Sequence, residues 1–229
     1  MNFLSLAAAN AATDPMTLTV GGGSAAVKLF LLLTVLSFAT ALLVSITSFT
    51  RIIVVLSFAR QAIGTSQLPP NQVILALALA MSGFVMAPTA MKVNEVALNP
   101  YFDEKMSGTE AIDAASGPIR EFLLRQTRPD DLRLFYEASN LPRPTRAEEV
   151  PLTVAIPAFM VSELTTAFRM GLSIFVPMLV IDLLVSTILM ALGMMMVPPN
   201  LISLPLKVGV FLLADGWHLL VGSLIKSFA

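Results

Sequence analysis

The chain has 229 residues, 56% of them hydrophobic and 13% charged, where a soluble globular chain carries about 25% charged residues, so most of it faces something other than water. A formal net charge of −1 gives no basis for nucleic-acid binding, and the absence of cysteine excludes disulfides, thiol catalysis and cysteine-ligated metal. Charge is concentrated: residues 92–150 hold 8 of the 14 bases and 11 of the 15 acids, a polar segment inserted in an apolar chain.

Residues 1–26 form a leader. MNFLSLAAANAATDP carries a short apolar stretch and the small residues of a signal-cleavage site, but lacks the basic start of a secretory signal, so processing stays open. Gly21, Gly22, Gly23 and Ser24 make a flexible lead into the first apolar run. A hydrocarbon core of about 30 Å needs about 20 apolar residues to cross it. Four runs qualify: Val27–Ser48, Val73–Met91, Leu152–Val197 and Leu201–Ile225. The fold class predicted is an all-α membrane protein with about four hydrophobic helical segments, kinked hairpins and an inserted helical extracytoplasmic domain. Residues 27–91 give two hydrophobic helices, whose connector carries Arg51 and Arg60 and no acid. Short basic connectors stay in the cytoplasm, which places 92–150 in the periplasm. Residues 151–229 give the C-terminal hydrophobic helices. The run from Leu152 to Val197 is too long for one simple span at about 1.5 Å per residue. It is expected to bend or break at Pro177, or to fold as a re-entrant hairpin.

The polar segment reads as helices. Ser107 and Glu110 have the spacing of a capping box, and Pro118 suits a first helical position. Ile119, Phe122, Leu123 and Gln126 then share a face, and Arg128 complements the helix dipole at the end. Asp130 and Asp131 open another helix with Leu132, Phe135 and Tyr136 on one side. Stripes at helical spacing make this an amphipathic packing module. Leu141-Pro-Arg-Pro144 reads as a linker back to the membrane.

Five ionisable groups, Glu163, Arg169, Asp182, Lys207 and Asp215, sit inside apolar runs. Facing lipid they would together cost on the order of 12–17 kcal/mol, at about 2.5–3.5 kcal/mol each. That exceeds a typical net folding stability of about 5–15 kcal/mol, so they face protein, water or one another. Pairing between helices or subunits and a polar transport path both satisfy this requirement. Asp215 and the single histidine, His218, are three residues apart, a spacing open to a proton relay or to an interfacial His beside Trp217. Enzyme signatures are missing. There is no H-E-x-x-H, no G-x-S-x-G elbow and no Walker loop, and Asp182 with Asp215 is only a pair of carboxylates. No catalytic residue, cofactor or metal site is predicted.

The stretch ALGMMMVPP, residues 191–199, is the most distinctive. Consecutive helical residues point about 100° apart, so Met194, Met195 and Met196 cannot share one helix face. In a loop they can share one space. Gly193 loosens the backbone before them, and Pro198 and Pro199 stop helix continuation. Methionine is unbranched and repacks cheaply, which suits either core filler or a deformable seal. Copied around an axis, such a loop makes a hydrophobic constriction that blocks ions by dewetting.

The sequence resembles the FliP family of the bacterial flagellar type III export gate. The resemblance runs through FTRIIVVLSFARQAIGT at 49–65, PPNQVILALAL at 69–79, REFLLRQTR at 120–128 and IPAFMVSELTTAFRMG at 156–171. It continues through PMLVIDLLVSTILMALGMMMVPP at 177–199 and LPLKVGVFLLADGWHLLVGSL at 204–224. The stretches REFLLRQTR, MMMVPP and DGWHLLVGSL favour this branch over the related virulence-secretion family. The resemblance implies a non-enzymatic homo-oligomer, a pentamer, assembled with FliQ and FliR and working with FlhB and FlhA on unfolded flagellar export substrates. It implies a multi-pass protein of the bacterial inner membrane and flagellar basal body, in contact with lipid, with Met194, Met195 and Met196 as the pore gasket. It also implies that the gate sits partly above the bilayer, with Glu163, Arg169, Asp182 and Lys207 paired across subunit interfaces. The rivals are a small proton-coupled permease using Asp215 and His218, and an aspartyl protease using Asp182 and Asp215. Ala167 and Gly171, four apart, are expected to permit close helix packing.

Overall fold

A computed structural model of the chain describes residues 24–65, 68–139, 141, 144, 146–194 and 196–229. The leader reading at 1–23, and Pro142 and Arg143 of the linker, lie outside the described residues. The described residues are helical and contain no strand. Two compact units divide the chain, one ending at Ala41 and one running from Leu42 to Ala229. The described part of the first is the body of α1 (Ser24–Ile46), apolar over Val27–Ile46 for a length sufficient to cross a membrane.

The second unit is built around one very long helix, α7 (Leu152–Ala191), of 40 residues. At about 1.5 Å per residue it extends some 60 Å, about twice a hydrocarbon core. It is continuous through both Pro157 and Pro177, so the predicted break at Pro177 does not occur. The reason is packing: Met178, Val185 and Leu189 beyond the proline are buried, and these contacts hold the helix on line. A break lies in the last apolar run, where α8 (Asn200–Leu213) and α9 (Gly216–Lys226) meet at 62°. Counting that bent pair as one span, the described helices offer up to four crossings.

The connector between the first two apolar runs is not a loop. It forms α2 (Phe49–Ile63), which packs chiefly along α7. Its buried stripe of Ile52, Val55, Leu56 and Ala59 has helical spacing and meets Ala167 of α7 and Leu220 and Leu224 of α9. Gly171 is buried at this contact, where a Cβ would approach the Phe58 ring to 2.6 Å. The small residues Ala167 and Gly171 thus allow two helices of the same chain to approach closely.

The second apolar run, α3 (Asn71–Val93), does not stop at the boundary near residue 92. It continues through a π-helical turn, Asn94–Leu98, into the short α4 (Asn99–Phe102). The polar segment then gives α5 (Gly108–Gln126) and α6 (Pro129–Ser139). Ser107 caps α5 as expected: its Oγ accepts from Glu110 N–H, and its own N–H donates to Glu110 Oε2 at 2.7 Å. That backbone bond holds the Glu110 carboxyl below its ordinary range. Pro118 lies inside α5 instead of starting a helix. The segment is no free-standing module. Phe122, Leu123 and Tyr136 share a core with Val154, Ala155 and Phe159 of α7.

Candidate functional site

At the C-terminal end of α7 the chain turns through Leu192–Pro199 into α8. Gly193 adopts φ +73°, the left-handed conformation that a side chain disfavours. Its N–H donates to Met190 O at 3.0 Å, and Met194 N–H donates to Leu189 O at 2.9 Å. These two bonds form the Schellman motif, so Gly193 ends the helix five residues before the prolines do. Pro198 and Pro199 have a different role: Leu201 N–H bonds Pro198 O, and Ser203 N–H bonds Pro199 O, which starts α8. Met194 and Met196 stand in the exposed turn between the two caps. Met194 is 43% exposed and Met196 is 97% exposed, so neither fills a core within this chain. Met195 lies outside the described residues.

Behind this turn, Asp182 of α7 and Lys207 of α8 form a hydrogen-bonded ion pair, and Ser203 adds a bond to Asp182. Lys207 and Ser203 are buried. The pair lines a cavity of about 450 Å³ that also contains Gln61, Phe175, Met178 and Asn200. It ties the two arms of the turn together well below the methionines.

Glu163 finds its partner in Arg51, which sequence reasoning had treated as a connector charge. Arg51 is 2% exposed and Glu163 0%. The guanidinium clasps both carboxylate oxygens: Nε donates to Oε2 at 3.0 Å, and Nη2 donates to Oε1. Nη1 donates to Ser227 O at 2.8 Å and to Ser227 Oγ at 3.0 Å, and Nη2 also reaches Gln126 Oε1 at 3.2 Å. The Phe228 ring centroid lies 3.9 Å from the guanidinium carbon. Gln126 in turn donates to Phe228 O. One buried cation therefore joins α2, α5, α7 and the segment after α9. Nearby, Arg128 N–H donates to Ser162 Oγ at 3.0 Å, and the Arg128 guanidinium bonds Asp131. The expectation that Glu163, Asp182 and Lys207 pair across subunits is thus corrected: all three pair inside the chain. Reading Phe49–Ile63 as a helix would have revealed Arg51, because it falls on the same stripe as Ile52, Val55 and Leu56.

Arg169 and Asp215 are exposed, and among the described residues neither side chain has a hydrogen-bond or ion-pair partner. Asp215 stands at the break between α8 and α9, and His218 is exposed in α9 with no bond to it. The structure does not assemble the relay pair, and it commits Asp182 to Lys207 in place of a second aspartate.

The FliP family model matches residues 32–224, nearly the whole described chain. The chain belongs to the FliP family. Among its relatives is the flagellar biosynthetic protein FliP of Bacillus subtilis, 49% identical over 205 residues, which cover 90% of this chain and 93% of that protein. The protein of the same name from Caulobacter vibrioides is 47% identical over 225 residues, covering 96% and 85% of the two chains. That of Aquifex aeolicus is 46% identical over 218 residues, covering 93% and 91%. Family membership thus extends over the Met turn, the Asp182–Lys207 pair and the Arg51 node alike.

Proposed function

We propose that this chain is a flagellar biosynthetic protein: a multi-pass inner-membrane subunit of the type III export gate in the flagellar basal body. Several copies, a pentamer, form a ring with FliQ and FliR, served by FlhB and FlhA, through which unfolded flagellar proteins pass. Met194, Met195 and Met196 of each copy project into the shared axis and seal it when no substrate is present. The chain performs no catalysis.

The observation that carries this reading is the Met196 side chain, 97% exposed in a turn capped on both sides and anchored by the Asp182–Lys207 pair. An apolar side chain held out by a fixed turn wants apolar company, and identical loops around an axis provide it. Thioethers yield around a passing chain of any sequence, as a rigid branched ring would not. Relatives named flagellar biosynthetic proteins supply the flagellar context.

Native mass determination of the detergent-extracted protein tests the assembly. A complex of several copies of the 24.5 kDa chain, with other membrane proteins of the apparatus bound, is expected. A stable monomer or isolated dimer contradicts the proposal.

A further inference from the structure

Four ionised side chains of the apolar core neutralise one another inside the chain, Arg51 with Glu163 and Lys207 with Asp182. Arg169 and Asp215 are left over, opposite in sign and both on the outside. Arg169 stands on α7 with exposed Leu172 and Val176 on the same face and Phe168 beside it. An ion placed so in an apolar helix is costly unless something neutralises it. Asp215 has φ +49°, a left-handed conformation that aspartate tolerates better than most residues. It precedes α9, where an aspartate normally caps the helix with its own side chain, yet it makes no such bond. Its carboxylate is therefore not used by the fold, and exposed Leu212, Leu213 and Leu219 surround its position.

We propose that Arg169 of one copy pairs with Asp215 of the next. Phe168, Leu172 and Val176 then close on Leu212, Leu213 and Leu219, and the ion pair lies inside an apolar rim. This rests on the ring reading above and names the contact that builds the ring. In a ring the contact is head-to-tail: each copy gives one cation and receives one with its anion. A closed ring and a two-fold dimer both leave neither ion of any copy unmatched, and only the ring links more than two copies. A lipid phosphate on Arg169 would leave Asp215 without a cation, so a second copy satisfies both observations where lipid satisfies one.

The chain contains no cysteine, so a thiol introduced at either site is unique. Arg169→Cys and Asp215→Cys copies, differently tagged and co-expressed with the full export apparatus, are treated in membranes with a short bis-maleimide. A disulfide is unsuitable, because it needs Cα atoms within about 7 Å and an arginine–aspartate pair spans more. The expected product is a dimer holding one of each tag, absent when either variant is expressed alone. The doubly substituted chain should give a ladder that runs past the dimer and ends at the ring. No mixed dimer, with the native mass still that of a ring, overturns the pair and leaves the ring standing. A ladder that stops at the dimer overturns the ring. A product linked only within one chain overturns the pairing in trans. Charge reversal gives a second readout. Arg169→Asp and Asp215→Arg should each lower the yield of assembled complex about tenfold or more, since like charges then meet at every interface, and the double reversal should restore it. Loss with Arg169→Asp alone, a neutral Asp215→Arg and no rescue would assign Arg169 to lipid phosphate and overturn the proposal.

Discussion

Glu163 lies within the long helix and Met196 in the turn that follows it, and the chain treats them in opposite ways. Glu163 is 0% exposed and held by a guanidinium that also binds Ser227 and Gln126 and stacks on Phe228. Met196 is 97% exposed and touches almost nothing. The buried region is expensive to create, because both ions lose their water, and it is stable only with every polar atom matched. The exposed region is cheap to hold in shape, through two caps and one ion pair, and leaves apolar surface unmatched. A single chain can complete the first region alone. The second leaves apolar surface that the proposed ring would cover.

The sharpest way to break that contrast is at Arg51. Arg51→Met leaves the Glu163 carboxylate buried without its cation and should cost about 3–5 kcal/mol. Thermal unfolding in detergent reads this as a lower midpoint and a lower yield of folded chain. Replacing both ions, Arg51→Met with Glu163→Leu, should recover most of the loss, since the penalty comes from the orphaned charge. A single variant as stable as the parent would show that the node holds nothing together.

A smaller effect is expected where α2 meets α7. Gly171→Leu drives its Cβ toward Phe58, where contact already falls to 2.6 Å, and overpacking of this kind costs about 1–3 kcal/mol. The readout is the same melting midpoint, with Phe58→Ala in the same chain giving partial recovery. Gly193 offers the counterpart at the Met turn. Nothing lies within 4 Å of its missing Cβ, so only its left-handed backbone demands glycine.

Much of the helical framework was legible from apolar periodicity and run length, because those follow directly from burial in a helical chain. The capping box at Ser107 was legible for a similar reason: its bonds are local in sequence. What the sequence concealed was long-range. Arg51 and Glu163 are separated by 112 positions, and no pattern within a window links them. Two arginines between apolar runs resemble a solvated connector until the segment is read as a buried helix. Pro177 misled in the other direction: a proline alone allows a break, but the helix runs on through it, with Met178, Val185 and Leu189 buried beyond. Gly193 was noticed as a loosening residue, whereas its actual role, an αL cap with two bonds, depends on backbone geometry.

The central claim is that the exposed thioethers seal a shared axis, and ion conductance tests it most directly. The assembled complex, with Met194, Met195 and Met196 all replaced by alanine, is placed in a planar bilayer or expressed in cells beside the parent. The account predicts a small-ion leak in the variant, a tight parent, and protein export retained in both. A variant membrane as tight as the parent's, with the complex fully assembled, would contradict it.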